Sequence, residues 1–469
     1  MSFTTPVYLI FLLIVWPLYW ALRRRQQNVL IVCASFLFYG WWDWRFLGLL
    51  IATTGIDYAV AIAMGREEDR ARRRKWLLLS LGSNLGALAF FKYFNFFSES
   101  FTQFANSLGF TAHPIMLKVV LPLGISFYTF QALSYTIDVY RGRMKPVHDA
   151  VQYYCFISFF PHLVAGPINF AKDLLQQFEK DRHFDRAEAA DGARQMLLGY
   201  FKKMVIADNL APYVNAAFGD VHQATGWQLL WASYAFAFQI YCDFSGYTDI
   251  AIGTAKLFNL RLMRNFAYPY WAQGIPEFWR RWHISLTTWF REYVYVSLGG
   301  NRVGKLRQTF NIAAVFLLSG LWHGANWTFV IWGALHGFFY LCFWFLAPRL
   351  TRGEVSGPWF VQTLRVLFTF QLVCFAWIFF RAATFSDAWL TLDKIGTSLL
   401  SGALSLHGGE YFLLGLAILP FEWINRHRGH AFDVADWPRM ARWVFYYVIV
   451  AIIIAFANFH YVPFIYFDF

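Results

Sequence analysis

The sequence predicts an all-α polytopic membrane protein, and three observations carry that prediction. Of 469 residues, 58% are hydrophobic and 14% charged, with a mean hydropathy of +0.39. That balance belongs to a chain that lives largely in lipid. Aromatic residues reach 21%, as expected of many passages through the headgroup region, where Trp and Tyr settle. The net charge is +12, but the cations sit in short runs between apolar stretches. This is the positive-inside pattern and argues against a nucleic-acid partner. Five cysteines, Cys33, Cys155, Cys242, Cys342 and Cys374, form no C-x-x-C pair, so neither a disulfide framework nor a metal site is expected.

Taken in order, residues 7–22 form the first apolar run. It has no charge ahead of it and Arg23-Arg24-Arg25 behind it, the pattern of a retained span rather than a cleaved leader. Residues 28–42 and 46–64 predict spans two and three. A basic loop follows at 65–75, then span four at 76–97 and span five at 117–139, which ends in Arg141-Gly142-Arg143-Met144-Lys145. With the N-terminus outside, the loops after spans one, three and five are cytoplasmic and basic, whereas 98–116 carries no Lys or Arg. Residues 151–168 are apolar but interrupted by Pro161, Gly166 and Pro167. This reads as a re-entrant or half helix, which is tolerated only under protein cover. Residues 171–194 are charged and read as cytoplasmic, and 203–218 with 227–242 as a crossing pair. Later spans are expected at 311–322, 328–345, 360–380, 411–424 and 443–456. The cation-free tail 461–469 should lie outside, giving a periplasmic N-terminus and C-terminus. No linker or short repeat appears, so 1–469 is expected to be one membrane domain with its motif-bearing core at about 120–340.

The chain's most informative stretch is Ser319-Gly320-Leu321-Trp322-His323-Gly324-Ala325-Asn326-Trp327. An ionisable residue between apolar spans is costly and usually has a task. Histidine can take and give a proton near neutrality, and the flanking glycines allow close approach. His323 is thus a candidate catalytic group; the alternative is a histidine that links helices by packing.

Residues 268–301 are rich in Arg and Trp. From Pro276, a favoured first-turn residue, Phe278, Trp282, Leu286, Trp289 and Tyr293 fall at helical spacing. Arg280, His283, Thr287 and Arg291 fall on another face. The pattern predicts one amphipathic helix in the membrane interface. It is either a plain surface anchor or a wall on which His283 and the arginines, Arg281 included, meet a phosphate-bearing donor. Upstream, Asp243 and Asp249 in Tyr241–Asp249 are expected to cap a helix or to pair with arginines. Ser245 lacks the G-x-S-x-G setting of a nucleophile. His162 and His336 read as structural, and His183, His427 and His430 as loop residues.

Five segments together carry a resemblance. They are Leu121-Pro122-Leu123-Gly124-Ile125-Ser126-Phe127-Tyr128-Thr129-Phe130-Gln131, Phe159-Phe160-Pro161-His162-Leu163-Val164-Ala165-Gly166-Pro167-Ile168, residues 241–249, residues 278–295 and residues 319–327. With the ending Phe464-Ile465-Tyr466-Phe467-Asp468-Phe469, they resemble the membrane-bound O-acyltransferase superfamily, in the bacterial branch that holds alginate O-acetyltransferase I. The first hundred residues match only in hydropathy. The resemblance implies a helical funnel with re-entrant segments around a mid-membrane histidine. His323 matches the family's essential histidine, and His283, in Trp282-His283-Ile284-Ser285, the second one of this branch. It also implies a cytoplasmic acyl donor, acetyl-coenzyme A, and no bound cofactor. The acceptor would be a separately encoded periplasmic partner of SGNH type, which acetylates an extracytoplasmic polysaccharide in a bacterial inner membrane setting. Alginate is the first expectation. Peptidoglycan, cellulose and teichoic-acid D-alanylation are the alternatives within the class, and a transporter or a non-catalytic scaffold those outside it.

Overall fold

A computed structural model describes residues 1–353, 357–402, 404–460 and 462–467. The described residues are mainly helical and form two compact units. The first comprises residues 1–185, 258–263 and 324–326, and the second 186–257, 264–323 and 327–469.

The first unit opens with α1 (Pro6–Trp20) and α2 (Arg24–Arg66). At 43 residues α2 is too long for one crossing, since about 20 residues span the hydrocarbon. Asp43 breaks it, with extended φ/ψ of −159° and 109° inside the run. The two legs correspond to the expected spans two and three. Next, α3 (Arg70–Leu88) runs through a π-helical turn, Ala89–Tyr93, into α4 (Phe94–Ser107). The expected fifth span is shorter than its hydropathy suggests. α5 covers only Ile125–Tyr140, because Pro122 lacks an amide donor and Gly124 adopts a left-handed φ of 71° at the N-cap. Then α6 (Ala150–Ser158) gives way to buried turns over 159–166. This is the interrupted, protein-covered segment that Pro161, Gly166 and Pro167 predict. The unit's helices end with α7 (Ala171–Glu179).

In the second unit, α8 (Arg186–Tyr200) passes through a π turn, Phe201–Ala207, into α9 (Asp208–Gly219). α10 (Gly226–Leu257) is 32 residues long and buried along most of its length. The expected crossing at 227–242 therefore continues without interruption through Asp243 and Asp249. Both lie inside α10 rather than at its end, and among the described residues neither pairs with an arginine. Lysines neutralise both: Lys203 Nζ lies 2.8 Å from Asp243 and 2.7 Å from Asp208, and Lys202 Nζ lies 2.8 Å from Asp249. A buried acid with a cation in contact can stay within a helix, which a single sequence does not reveal.

The remaining helices are α11 (Ile275–Arg281), α12 (Ile284–Trp289), α13 (Lys305–His323), α14 (Trp327–Leu346), α15 (Pro348–Arg352), α16 (Trp359–Arg381), α17 (Phe385–Leu400), α18 (Gly409–Leu416), α19 (Leu419–Ile424) and α20 (Arg439–Phe456). The span expected at 411–424 is instead two short helices, with Pro420 in the first turn of α19. Within that expected span, Glu422 is fully buried against the Tyr241 hydroxyl. Five described helical runs are long and apolar enough to cross a membrane: Arg24–Arg66, Arg70–Ser107, Trp327–Leu346, Trp359–Arg381 and Arg439–Phe456. The tail expected outside is described only in part, because residues 461, 468 and 469 lie outside the described residues.

Candidate active site

His323 is the last residue of α13 and is 2% exposed. Its helix is set against α14 by two glycines. A Cβ on Gly320 would meet the Phe329 carbonyl oxygen at 2.3 Å, and one on Gly333 the Phe316 carbonyl oxygen at 2.4 Å. The two backbones thus touch one turn before His323, in the manner of small-residue crossings in membranes. The imidazole sits in an aromatic cage. Trp332 lies 4.9 Å away edge-on, Trp322 at 5.0 Å, Phe380 at 5.4 Å and Tyr466 at 5.6 Å, centroid to centroid.

The second histidine arrives by a break. The pattern over 276–293 predicts one amphipathic helix. The chain instead forms α11 and α12 with His283 between them in the left-handed region, φ 44° and ψ 53°. A side chain other than Gly held there costs about 1–3 kcal/mol and persists only where its surroundings over-determine it. Phe278, Trp282, Leu286, Trp289 and Tyr293 are buried as their spacing implies. The break takes His283 off the face of Arg280, Thr287 and Arg291. His283 is fully buried and its ring centroid is 6.4 Å from that of His323. Tyr466, near the C-terminus, contacts both rings. Its segment is pinned by Asp243, which accepts the Ile465 N–H at 2.8 Å, and by Lys203, which donates to the Val462 carbonyl at 3.3 Å.

The Nδ1 atom of His283 lies 3.1 Å from Asn265 Oδ1, and Ser285 donates to the same oxygen through its backbone N–H and its hydroxyl. Behind Asn265 is a small polar cavity of about 20 Å³, also lined by Ser245, Thr248, Lys202 and Asp249. Ser245 is therefore buried in mid-helix and lines this cavity.

A second and larger cavity, about 380 Å³, is lined by Trp279, Leu286, Phe290, Ile312, Phe316 and Tyr340 among others. Arg280, Thr287 and Arg291 line it as well, and so does Ser319, one helical turn before His323. Both arginines are exposed. Arg280 donates to the Thr351 carbonyl at 2.8 Å, and Arg291 pairs with Glu292 at 3.3 Å. Arg281, expected beside them, is ion-paired to Glu277 at 2.5 Å and does not line this cavity. His283 does not line it either.

Of the other histidines, His162 is buried in the first unit, 3.0 Å from Gln131 Nε2. His336 is fully buried among Phe278, Trp279 and Trp332. His430 pairs with Asp191 at 3.1 Å. Burial pushes the Asp191 carboxyl up, but hydrogen bonds and charge from His430 and Lys256 outweigh it and hold the carboxyl well below the usual range. No cluster of His, Cys, Asp and Glu able to hold a metal occurs among the described residues.

With two buried imidazoles sharing one wall, comparison with known proteins decides the family. The profile of the MBOAT, membrane-bound O-acyltransferase, family matches residues 144–383. This chain belongs to the membrane-bound O-acyltransferase family. The family match and the apolar helices make it a multi-pass membrane protein and an O-acyltransferase. It is 42% identical over 392 residues to the "Probable alginate O-acetylase AlgI" of Azotobacter vinelandii, covering 83% of this chain and 77% of that relative. The protein of the same name in Pseudomonas putida KT2440 is 37% identical over the whole of both chains. The peptidoglycan O-acetyltransferase of Helicobacter pylori is 35% identical, over 90% of this chain and 83% of that one.

Asn265 and Tyr466 were not legible as site residues. Asn265 lies in Arg264-Asn265-Phe266, a loop with no periodicity, and Tyr466 falls within the tail that the resemblance flags without assigning it a role.

Proposed function

We propose that this membrane-bound O-acyltransferase moves acetyl from acetyl-coenzyme A on the cytoplasmic side to a hydroxyl on the outer side, for O-acetylation of an extracytoplasmic polysaccharide. The observation that carries the reading is the pairing of His283 and His323 at 6.4 Å in a buried aromatic cage. A reacting atom between the rings can reach both, as acid–base catalysis requires. The relatives' names favour acetyl over longer acyl groups, and the alginate names outnumber the peptidoglycan one.

The step balances without another reactant. His323 takes the proton of the acceptor hydroxyl as its oxygen attacks the thioester carbonyl. The new C–O bond forms, the C–S bond breaks, and the imidazolium returns the proton to the leaving thiolate. His283 tunes His323 or steadies the thioester between the rings. The cavity that reaches Ser319 suits the narrow arm of the donor, with Arg280 and Arg291 near its phosphates. Arg281, engaged by Glu277, is a less direct contributor. The acceptor hydroxyl would belong to a periplasmic SGNH-type partner, and both termini would be periplasmic in a bacterial inner membrane.

The test is acetylation of the polymer in cells carrying His323→Ala with the protein present at normal level in the membrane. Loss of acetylation is expected; wild-type acetylation overturns the reading. For the topology, a reporter active only in the periplasm should work when fused after Phe469, and its activity at Arg72 would overturn the orientation.

A further inference from the structure

Asn265 is fully buried, eighteen residues before His283 in the chain. Its Oδ1 receives the Ser285 backbone N–H at 3.3 Å and the Ser285 hydroxyl at 2.9 Å. A backbone N–H can only donate. The amide atom that faces it is therefore the oxygen, and the orientation of the Asn265 amide follows. His283 Nδ1 lies 3.1 Å from that same oxygen. An oxygen accepts, so Nδ1 donates and carries the proton. The ring's lone pair then resides on Nε2.

The surroundings hold this arrangement from three sides. The Ile284 N–H donates to the Asn265 carbonyl, and the Ala267 N–H to the Arg281 carbonyl, each at 2.9 Å. These two bonds tie the loop to the break between α11 and α12. The left-handed backbone of His283 is retained within that tie. Phe244 stands edge-on to the imidazole at 4.7 Å, and Phe266 lies 6.4 Å away with its plane inclined by 30°. On the far side, Asn265 Nδ2 and the hydroxyls of Ser245 and Thr248 have no protein partner among the described residues. They line the polar cavity of about 20 Å³, which has room for one water. An amide turned over would put its NH₂ against the Ser285 N–H.

We propose that Asn265 is the positioning residue that sets the tautomer of His283, holding the proton on Nδ1 and making Nε2 the ring's acceptor atom beside His323. A neutral amide suits this task. It orients the ring without adding the negative charge that would keep an imidazolium protonated. The inference rests on the proposed catalytic role of the histidine pair, and the experiment separates the two.

The full-length protein in lipid nanodiscs, labelled with ¹⁵N-histidine, reports the tautomer directly. The His283 signals are assigned by their disappearance in His283→Gln. The expected wild-type pattern is protonated Nδ1 with unprotonated Nε2, and Asn265→Ala should show a mixture of both neutral forms. The Nε2–H form in the wild type, or no change in Asn265→Ala, overturns the proposal. Because Asn265→Ala removes the acceptor of three hydrogen bonds and could fold poorly, Asn265→Asp provides the second reading. It keeps an acceptor oxygen, but its charge should favour imidazolium. The ascending limb of the pH profile for thiol release from acetyl-coenzyme A should move up by about 1 pH unit, with activity lost mostly on the acid side. A purely structural asparagine would change protein yield or melting temperature and leave both the ¹⁵N pattern and the pH profile in place. Wild-type acetylation by His283→Ala would sink the catalytic reading, whereas the ¹⁵N result would still decide the tautomer.

Discussion

Two buried polar clusters, one in each unit, hold titratable groups in different ways. In the first unit, Asp57 on α2 is fully buried, and no ion pair to it occurs among the described residues. Ser80 donates to one of its oxygens at 2.5 Å, and Asn84 donates to both, at 2.9 and 2.8 Å. Thr136 completes the cluster at 3.0 Å from the Ser80 hydroxyl. Each partner belongs to a neighbouring helix, and the carboxyl is engaged on both sides. In the second unit, His283 is tied through Nδ1 to Asn265, while His323 is surrounded by ring faces and edges. Aromatic planes fix the position of an imidazole through packing. One turn from His323, Ser319 opens on the larger cavity. Burial of a titratable group is common to both clusters. What differs is the surroundings: hydrogen-bond donors hold the carboxyl of Asp57, whereas an amide oxygen and aromatic rings stand around the imidazoles.

Several variants would break or sharpen that contrast. The largest effect is expected for His323→Ala, a loss of at least about 10²-fold in acetylation with the protein still in the membrane, since a general base commonly contributes that much. Near-wild-type activity would place His323 in the same class as Asp57. His283→Ala should follow with a smaller loss, because Tyr466 and the aromatic cage remain around His323. If its loss exceeded that of His323→Ala, the roles of the two rings would have to be exchanged.

Arg280→Ala and Arg291→Ala test the cavity rather than the rings. Each is expected to raise the apparent KM for acetyl-coenzyme A several-fold, with kcat and membrane insertion little changed, as removal of one exposed phosphate contact would. Titration of the donor in one defined lipid mixture checks this. A shift in lipid dependence at constant KM would instead assign these arginines to anionic headgroups. The smallest effect on catalysis is expected for Asp57→Ala. It leaves the Ser80 and Asn84 donors without their acceptor, so stability in detergent should drop by about 1–3 kcal/mol. Turnover per folded molecule should stay unchanged. A selective loss of turnover there would abolish the distinction between the clusters.

Much of the molecule was legible before its structure. Apolar runs and their basic borders anticipated most of the long helices, and prolines and glycine at 161–167 anticipated the buried turns after α6. His323 stood out because an ionisable ring between glycines is rare in an apolar stretch. The arginine face was also legible, in that Arg280, Thr287 and Arg291 do line one cavity. Hydropathy misled where backbone chemistry intervened. Residues 117–139 read as one span, but Pro122 and Gly124 delay the helix to Ile125. Likewise, 411–424 divides into α18 and α19.

By itself, the sequence determined a helical membrane chain and its motif order and singled out one histidine as a candidate, because composition and short-range periodicity are local properties. Only the tertiary structure decided that the helix expected over 276–293 breaks at a left-handed His283, bringing that ring to His323 instead of to the arginines. Only it paired Asp243 and Asp249 with lysines of the neighbouring helix, and placed Asn265 and Tyr466 against the histidines. Periodicity tells which face a residue would occupy if the helix ran on. Whether it runs on, and what meets that face, depends on partners distant in the chain, whose contacts exist only once the helices have packed.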